Sequence, residues 1–180
     1  KVFALFLTLA LLGSLCACGV AETPADGSDA ETGVSDSSAG VSNPVTESTA
    51  DEVLEATGIS FTVPEGAADV AYSMIDGGTG NPLAQMTFTL GGAACCCRVV
   101  SADVPEDGLE DISGLYYDWT EEDADSVGWN DAELHWIPDE QGFIEWYDTA
   151  PGLLYCASVE SGASREVLLA LAEALYTPVQ

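Results

Sequence analysis

Positive charge is almost absent from this 180-residue chain. Three Lys and Arg stand against 31 Asp and Glu, with one His, giving a formal net charge of −28. Neutralising a phosphate backbone takes a basic face, and Lys1, Arg98 and Arg165 cannot form one. Nucleic acid is therefore excluded as a partner. Electrostatic adsorption to anionic lipid fails for the same reason, since it depends on clustered Lys and Arg. No Cys-x-x-Cys occurs, which weakens any thioredoxin-like redox role. No Gly-x-Ser-x-Gly elbow occurs either, and a single His leaves few ways to pair a nucleophile with a base. What the chain does hold is 47% hydrophobic residues, too many for a wholly disordered polymer.

Those apolar residues are unevenly spread. Lys1 precedes an apolar run from Val2 to Leu12, followed by Gly13-Ser14. The run fits the core of a signal peptide and is too short for a span, which takes about 20 residues. Leu15-Cys16-Ala17-Cys18 then resembles a bacterial lipobox, with an aliphatic residue at −3 and a small one at −1 relative to Cys18. Cys16 fits that register poorly, because it sets Gly13 at −3 and Leu15 at −1. The resemblance implies a leader segment over 1–18, cut ahead of Cys18, and diacylation of Cys18, which becomes the first residue outside the membrane. Each buried CH₂ contributes about 0.8 kcal/mol, so two acyl chains anchor durably without a spanning helix. Without Lys1 the remaining chain carries −29.

Gly19 to Ala50 contains no aromatic residue and no Lys or Arg, and its large apolar residues are four valines. Such a segment cannot offset the entropy of ordering, so 19–50 reads as a flexible acidic tether. Its r.m.s. span is about 30 Å, extended by self-repulsion. A folded domain is expected over 51–180, enough for one core.

Within 51–180 the pattern alternates. Asp51 to Ala56 suits a short helix stopped at Thr57-Gly58. Strands are expected at Ile59–Val63, around Val70–Met74, and from Ala84 to Leu90, with Gly91-Gly92 as a two-residue hairpin turn into Ala94–Val100. Leu115–Thr120, Ala132–Ile137, Phe143–Thr149 and Leu153–Val159 read as further strands, and Glu121–Asn130 as an acidic connection. Ser164 caps a closing helix with Val167, Leu168, Leu171 and Leu175 on one face. The expected class is α+β: an antiparallel sheet of about six to eight strands packed by a C-terminal amphipathic helix.

Thr57-Gly58-Ile59-Ser60-Phe61, Asp111-Ile112-Ser113-Gly114, Trp146-Tyr147-Asp148 and the Glu166–Leu175 helix together resemble a Gram-positive, clostridial-type family of lipoproteins. Their C-terminal domain is extracytoplasmic and of unknown function. The resemblance implies sensing or binding and brings no active-site residue with it.

Four features of the domain could carry chemistry. Cys95-Cys96-Cys97 with Cys156 permits one disulfide from Cys156 to any of the three, a zinc site completed by His135, or simply buried thiols. Adjacent ligands lack the usual spacer, which counts against zinc. Asp123-Ala124-Asp125-Ser126-Val127-Gly128 begins like a calcium loop but sets Val127 at the fifth place and Leu134 at the twelfth. A looser Ca²⁺ site could draw on Asp118, Glu121, Glu122, Asp123 or Asp125. No other cofactor is implied. His135, between Leu134 and Trp136, is expected on the outer face of its strand. Trp129 is the aromatic residue expected to be exposed.

Function is expected to be ligand binding or envelope sensing at the membrane surface, without catalysis. Two rivals stand beside it: an extracytoplasmic enzyme acting on envelope or glycan material, and an acidic surface docking a basic protein. A small molecule, a glycan or a basic protein would be the ligand.

Overall fold

Both helices of the described residues begin where hydroxyl side chains cap them. In a computed structural model describing residues 44–77, 80–106 and 108–177, Thr49 and Glu52 form a reciprocal capping box at the start of α1 (Ala50–Thr57). The Glu52 amide donates to Thr49 Oγ1 at 3.3 Å, and the Thr49 amide donates to Glu52 Oε2 at 2.8 Å. Gly58, at φ +73°, ends the helix in the left-handed conformation that glycine adopts without strain. Ser164 caps α2 (Arg165–Leu175) by accepting from the Val167 amide. Leu168, Leu171, Ala172 and Leu175 are buried, while Val167, expected on the same face, is 41% exposed.

Among the described residues, eight strands form one antiparallel sheet. They are β1 (Val45–Ser48), β2 (Ala68–Ile75), β3 (Leu83–Leu90), β4 (Ala93–Ser101), β5 (Glu121–Val127), β6 (Asn130–Trp136), β7 (Gly142–Asp148) and β8 (Leu153–Val159). Their spatial order is β1-β2-β3-β4-β8-β7-β6-β5. Two four-stranded meanders therefore meet where β4 pairs with β8. The α+β class and the sheet-packed C-terminal helix follow the sequence pattern.

Alternation assigns the faces. Ala84, Met86, Phe88, Cys95, Cys97, Val99, Leu134, Ile144, Trp146, Ala157 and Val159 pack in one cluster with Val53 of α1 and the buried face of α2. The opposite face of the second meander lies against the irregular stretches 102–106 and 108–120, here together termed the strap. Every residue of β7 is consequently buried.

Three expectations need correction. Residues 44–50, read as tether, belong to the fold, because β1 pairs with β2 and α1 starts at Ala50. Ile59–Val63 is not a strand. Ile59 and Phe61 do turn toward the core, but β1 already occupies the edge of β2 that another strand would need. Leu115–Thr120 belongs to the strap, and the acidic run after it is β5 itself.

β5 is a free sheet edge, and its outward amides are covered locally. Asp123 Oδ1 accepts from the Ala124 amide at 2.9 Å, and Asp125 Oδ1 from the Ser126 amide at 2.8 Å. The second oxygens of both aspartates hold Arg165 of α2: Nε donates to Asp123 Oδ2 at 2.6 Å, and Nη2 donates to Asp125 Oδ2. These contacts hold the Asp123 carboxyl below the usual range, with the Arg165 hydrogen bond the largest cause. Edge strands present unpaired amides to other chains, and charged side chains over them block that pairing.

Arg165→Ala should therefore speed hydrogen exchange at Ala124 and Ser126 and produce concentration-dependent self-association by light scattering. The melting temperature should change little, because exposed ion pairs contribute weakly. Unchanged exchange at both amides would show that the aspartates cover the edge without the arginine.

Candidate functional site

A polar row crosses the strap-facing side of the sheet. Register aligns Ser73, Gln85, Arg98, Cys156, Glu145 and Glu133 on consecutive neighbouring strands from β2 to β6. Gln85 Nε2 donates to Ser73 Oγ at 3.0 Å, and Arg98 Nε donates to Gln85 Oε1 at 2.9 Å. The row then reaches upward. Arg98 Nη1 donates to the carbonyls of Ile112, at 3.1 Å, and Ser113, at 2.5 Å. Glu145 Oε1 accepts from the Ile112 amide at 2.9 Å. One peptide segment of the strap is thus pinned by a cation and a carboxylate from two different strands. Gly114, at φ +65°, lies against the Arg98 guanidinium where a Cβ would collide with it. Glycine is required there on both counts.

The aromatic residues of the strap are fixed in series. Tyr117 meets Trp119 edge-on with ring centroids 5.4 Å apart, and Trp119 meets Phe143 edge-on at 5.2 Å. Phe143 stacks on His135 at 5.0 Å. Tyr147 Oη donates to the Ala102 carbonyl and ties down the start of the strap.

Between strap and sheet lies an open cleft of about 480 Å³. Its floor comes from Gln85, Thr87, Cys96, Arg98 and Ser158. Its walls come from Ser113, Leu115 and Tyr117 of the strap, with Gln141 and Glu160 at the rim. Six of its eleven lining residues carry an amide or a hydroxyl, and one cation and one carboxylate join them.

The four cysteines of the domain are free thiols. Of the options left open by the sequence these are the buried thiols, and register explains why the alternative bridge is not formed. Cys95 and Cys97 face the helices, whereas Cys156 lies opposite Arg98 on the strap side. Cys96 shares that side but sits one diagonal step away, about 7–8 Å in an antiparallel pair and beyond ordinary disulfide reach. His135 is on β6, remote from the triplet on β4, so the imagined zinc set is not brought together. Burial pushes every one of these thiols up, Cys96 to about 11 despite the nearby Arg98. They are protonated at neutral pH and unactivated as nucleophiles.

The calcium candidates are also dispersed. Asp123 and Asp125 face α2 and hold Arg165, while Glu122 lies on the opposite side, 3.6 Å from His135 Nδ1. Glu121 shares the α2 side of β5, and Asp118 belongs to the strap. Among the described residues no group of three or more His, Cys, Asp or Glu is arranged to hold a metal. Trp129, in the β5–β6 turn, is 95% exposed as expected; Tyr116 is equally exposed at 93%. His135 lies on the outer side of β6, partly covered by Phe143. Cys18 lies outside the described residues.

Sequence reasoning missed Arg98 and Glu145. Their signals were present: an arginine inside an apolar strand, and one charge within Phe143-Ile144-Glu145-Trp146-Tyr147. No known protein family, curated protein or solved structure matches the chain.

Glu145 is 4% exposed, and its carboxyl is raised from 4.5 to about 7. Burial is the largest cause; the Ile112 amide opposes it, and the charges of Asp111 and Glu133 add to it. A carboxyl with a higher pKa folded than unfolded binds its proton more tightly in the folded state. Its contribution to stability is full below about 4.5 and is lost as the pH rises through about 7. Denaturant unfolding should accordingly show stability falling by about 1–3 kcal/mol from pH 4.5 to 8. Glu145→Gln keeps an acceptor for the Ile112 amide and should flatten that dependence, leaving the variant more stable than the parent at pH 8. A parent and variant with parallel pH profiles would refute this assignment.

Proposed function

We propose that this chain is a lipid-anchored, extracytoplasmic binding domain that performs no chemistry on its ligand. The observation that carries the reading is the composition of the cleft under the strap. It offers fixed hydrogen-bond donors and acceptors, and its one thiol, Cys96, is protonated at neutral pH. Such a site holds and orients a small polar molecule. His135 lies outside its lining, near Glu122 and Phe143, so the chain's single imidazole offers no base beside that thiol. The rival enzyme reading gains no support from this arrangement.

Anchoring rests on the sequence. Leu15-Cys16-Ala17-Cys18 supports lipidation at Cys18, and the resemblance to clostridial-type lipoproteins points the same way. Among the described residues no helix is long and apolar enough to cross a membrane. A net charge of −28 repels anionic headgroups, so attachment would fall to acyl chains alone. The acidic surface also suits a basic protein partner as a second reading, one that would weaken steeply with salt.

Intact mass spectrometry of the protein isolated from its native membrane tests the anchor. The expected species begins at Cys18, lacks residues 1–17 and carries a diacylglyceryl adduct. Cys18→Ser should leave the protein unlipidated and release it from the membrane fraction if it is otherwise exported. A retained leader, or an unmodified Cys18 at the new N-terminus, overturns the proposal.

A further inference from the structure

We infer that the cleft between strap and sheet receives a neutral saccharide, stacked on Tyr117 and hydrogen-bonded by the side chains of the sheet and rim. The inference rests on reading the domain as a binding module and names the ligand class of that same cleft.

Three observations lead there. The first is the balance of the lining. Thr87, Ser158 and Gln141 contribute hydroxyl and amide groups, and Arg98 and Glu160 contribute one charge of each sign. A ligand rich in hydroxyls, each both donor and acceptor, matches such a mixed set. The cleft volume of about 480 Å³ falls within the range of small-molecule sites and suits one or two sugar rings.

The second is electrostatic. At −28 the whole chain repels anions, and Arg98 is largely engaged by Gln85, Ile112 and Ser113. A phosphorylated or carboxylated ligand would approach against the field of the molecule. A neutral ligand would not.

The third is the aromatic wall. Tyr117 is 50% exposed and lines the cleft, yet its ring is braced edge-on by Trp119, which is itself set against Phe143. An exposed ring held rigidly loses little freedom when a ligand covers it. The apolar C–H face of a pyranose is a natural cover for such a ring. Leu115, also in the lining, adds apolar area for a ring face or an N-acetyl methyl.

The test uses the full chain in a sugar-free detergent, titrated with N,N′-diacetylchitobiose, cellobiose, triglycine and an oligogalacturonide. Amide chemical shifts and calorimetry supply the readouts. At least one neutral disaccharide should shift Thr87, Tyr117, Gln141 and Ser158. Tyr117→Ala should weaken that binding about fivefold to tenfold. Tyr117→Phe should retain most of it, and Trp129→Ala, at an exposed ring outside the lining, should leave it unchanged. Hydrogen exchange across the strap reports whether Tyr117→Ala keeps its fold, and Gln141→Ala gives an independent loss outside the strap. Triglycine or the oligogalacturonide shifting these residues while both disaccharides fail overturns the saccharide assignment and leaves the binding reading standing. Silence from all four probes at these residues overturns the assignment and removes the support that the cleft gives to the binding reading. Sugar binding abolished by Trp129→Ala and untouched at Tyr117 overturns it as well.

Discussion

The pairing of β4 with β8 is the constraint on which the rest of the structure depends. β1–β4 and β5–β8 are each local meanders, and this seam is where they become one sheet. Closing it requires the chain to return across more than fifty residues, the most non-local pairing in the fold and the costliest in loop entropy. In return it builds both faces at once. Cys95, Cys97, Ala157 and Val159 join the helix-covered core, and Arg98 and Cys156 are set beside each other under the strap.

That arrangement also fixes register. Side chains alternate across a strand, so a slip of one residue between β4 and β8 would exchange the two faces of one strand relative to the other. With β4 so shifted, Arg98 would be turned away from the strap, and a desolvated ion would be left without partners, which is far more costly than a lost apolar contact. The polar row thus acts with the apolar core in selecting one alignment. The strap has little regular structure of its own, and it is held by the row beneath it: its amide and carbonyl groups at Ile112 and Ser113 are claimed by side chains from β7 and β4.

Much of the fold was legible because alternation and capping are local. β2, β3, β4, β6, β7, β8 and both helices follow from apolar spacing, Gly91-Gly92 and Ser164. The errors share a cause. Ile59–Val63 and Leu115–Thr120 alternate as strands do, but an extended segment joins a sheet only where tertiary packing sets its backbone along an edge; Trp119 instead lies against Phe143 on the face of the sheet. β5 was obscured in the opposite way. Glu121-Glu122-Asp123 has none of the β-branched or aromatic bias of strands, and it pairs because β6 supplies an edge and Arg165 draws its aspartates together. Of the candidate site, the thiol triplet and the exposure of Trp129 could be read in advance. The Arg98–strap–Glu145 arrangement could not, since it joins residues brought together only by strand order.

Both arginines of the described fold are spent on internal fastening, one on the strap and the other on the edge of the sheet. The chain contains no lysine beyond Lys1. A protease of tryptic specificity must seat a basic side chain in its pocket and draw several flanking residues into an extended, unpaired form. Here the bond after Arg98 lies within the central strand β4, and the one after Arg165 lies in the first turn of α2. Among the described residues, digestion by such an enzyme therefore waits on the opening of the strand or the helix. Resistance of the described fold to such enzymes follows from the scarcity of positive charge.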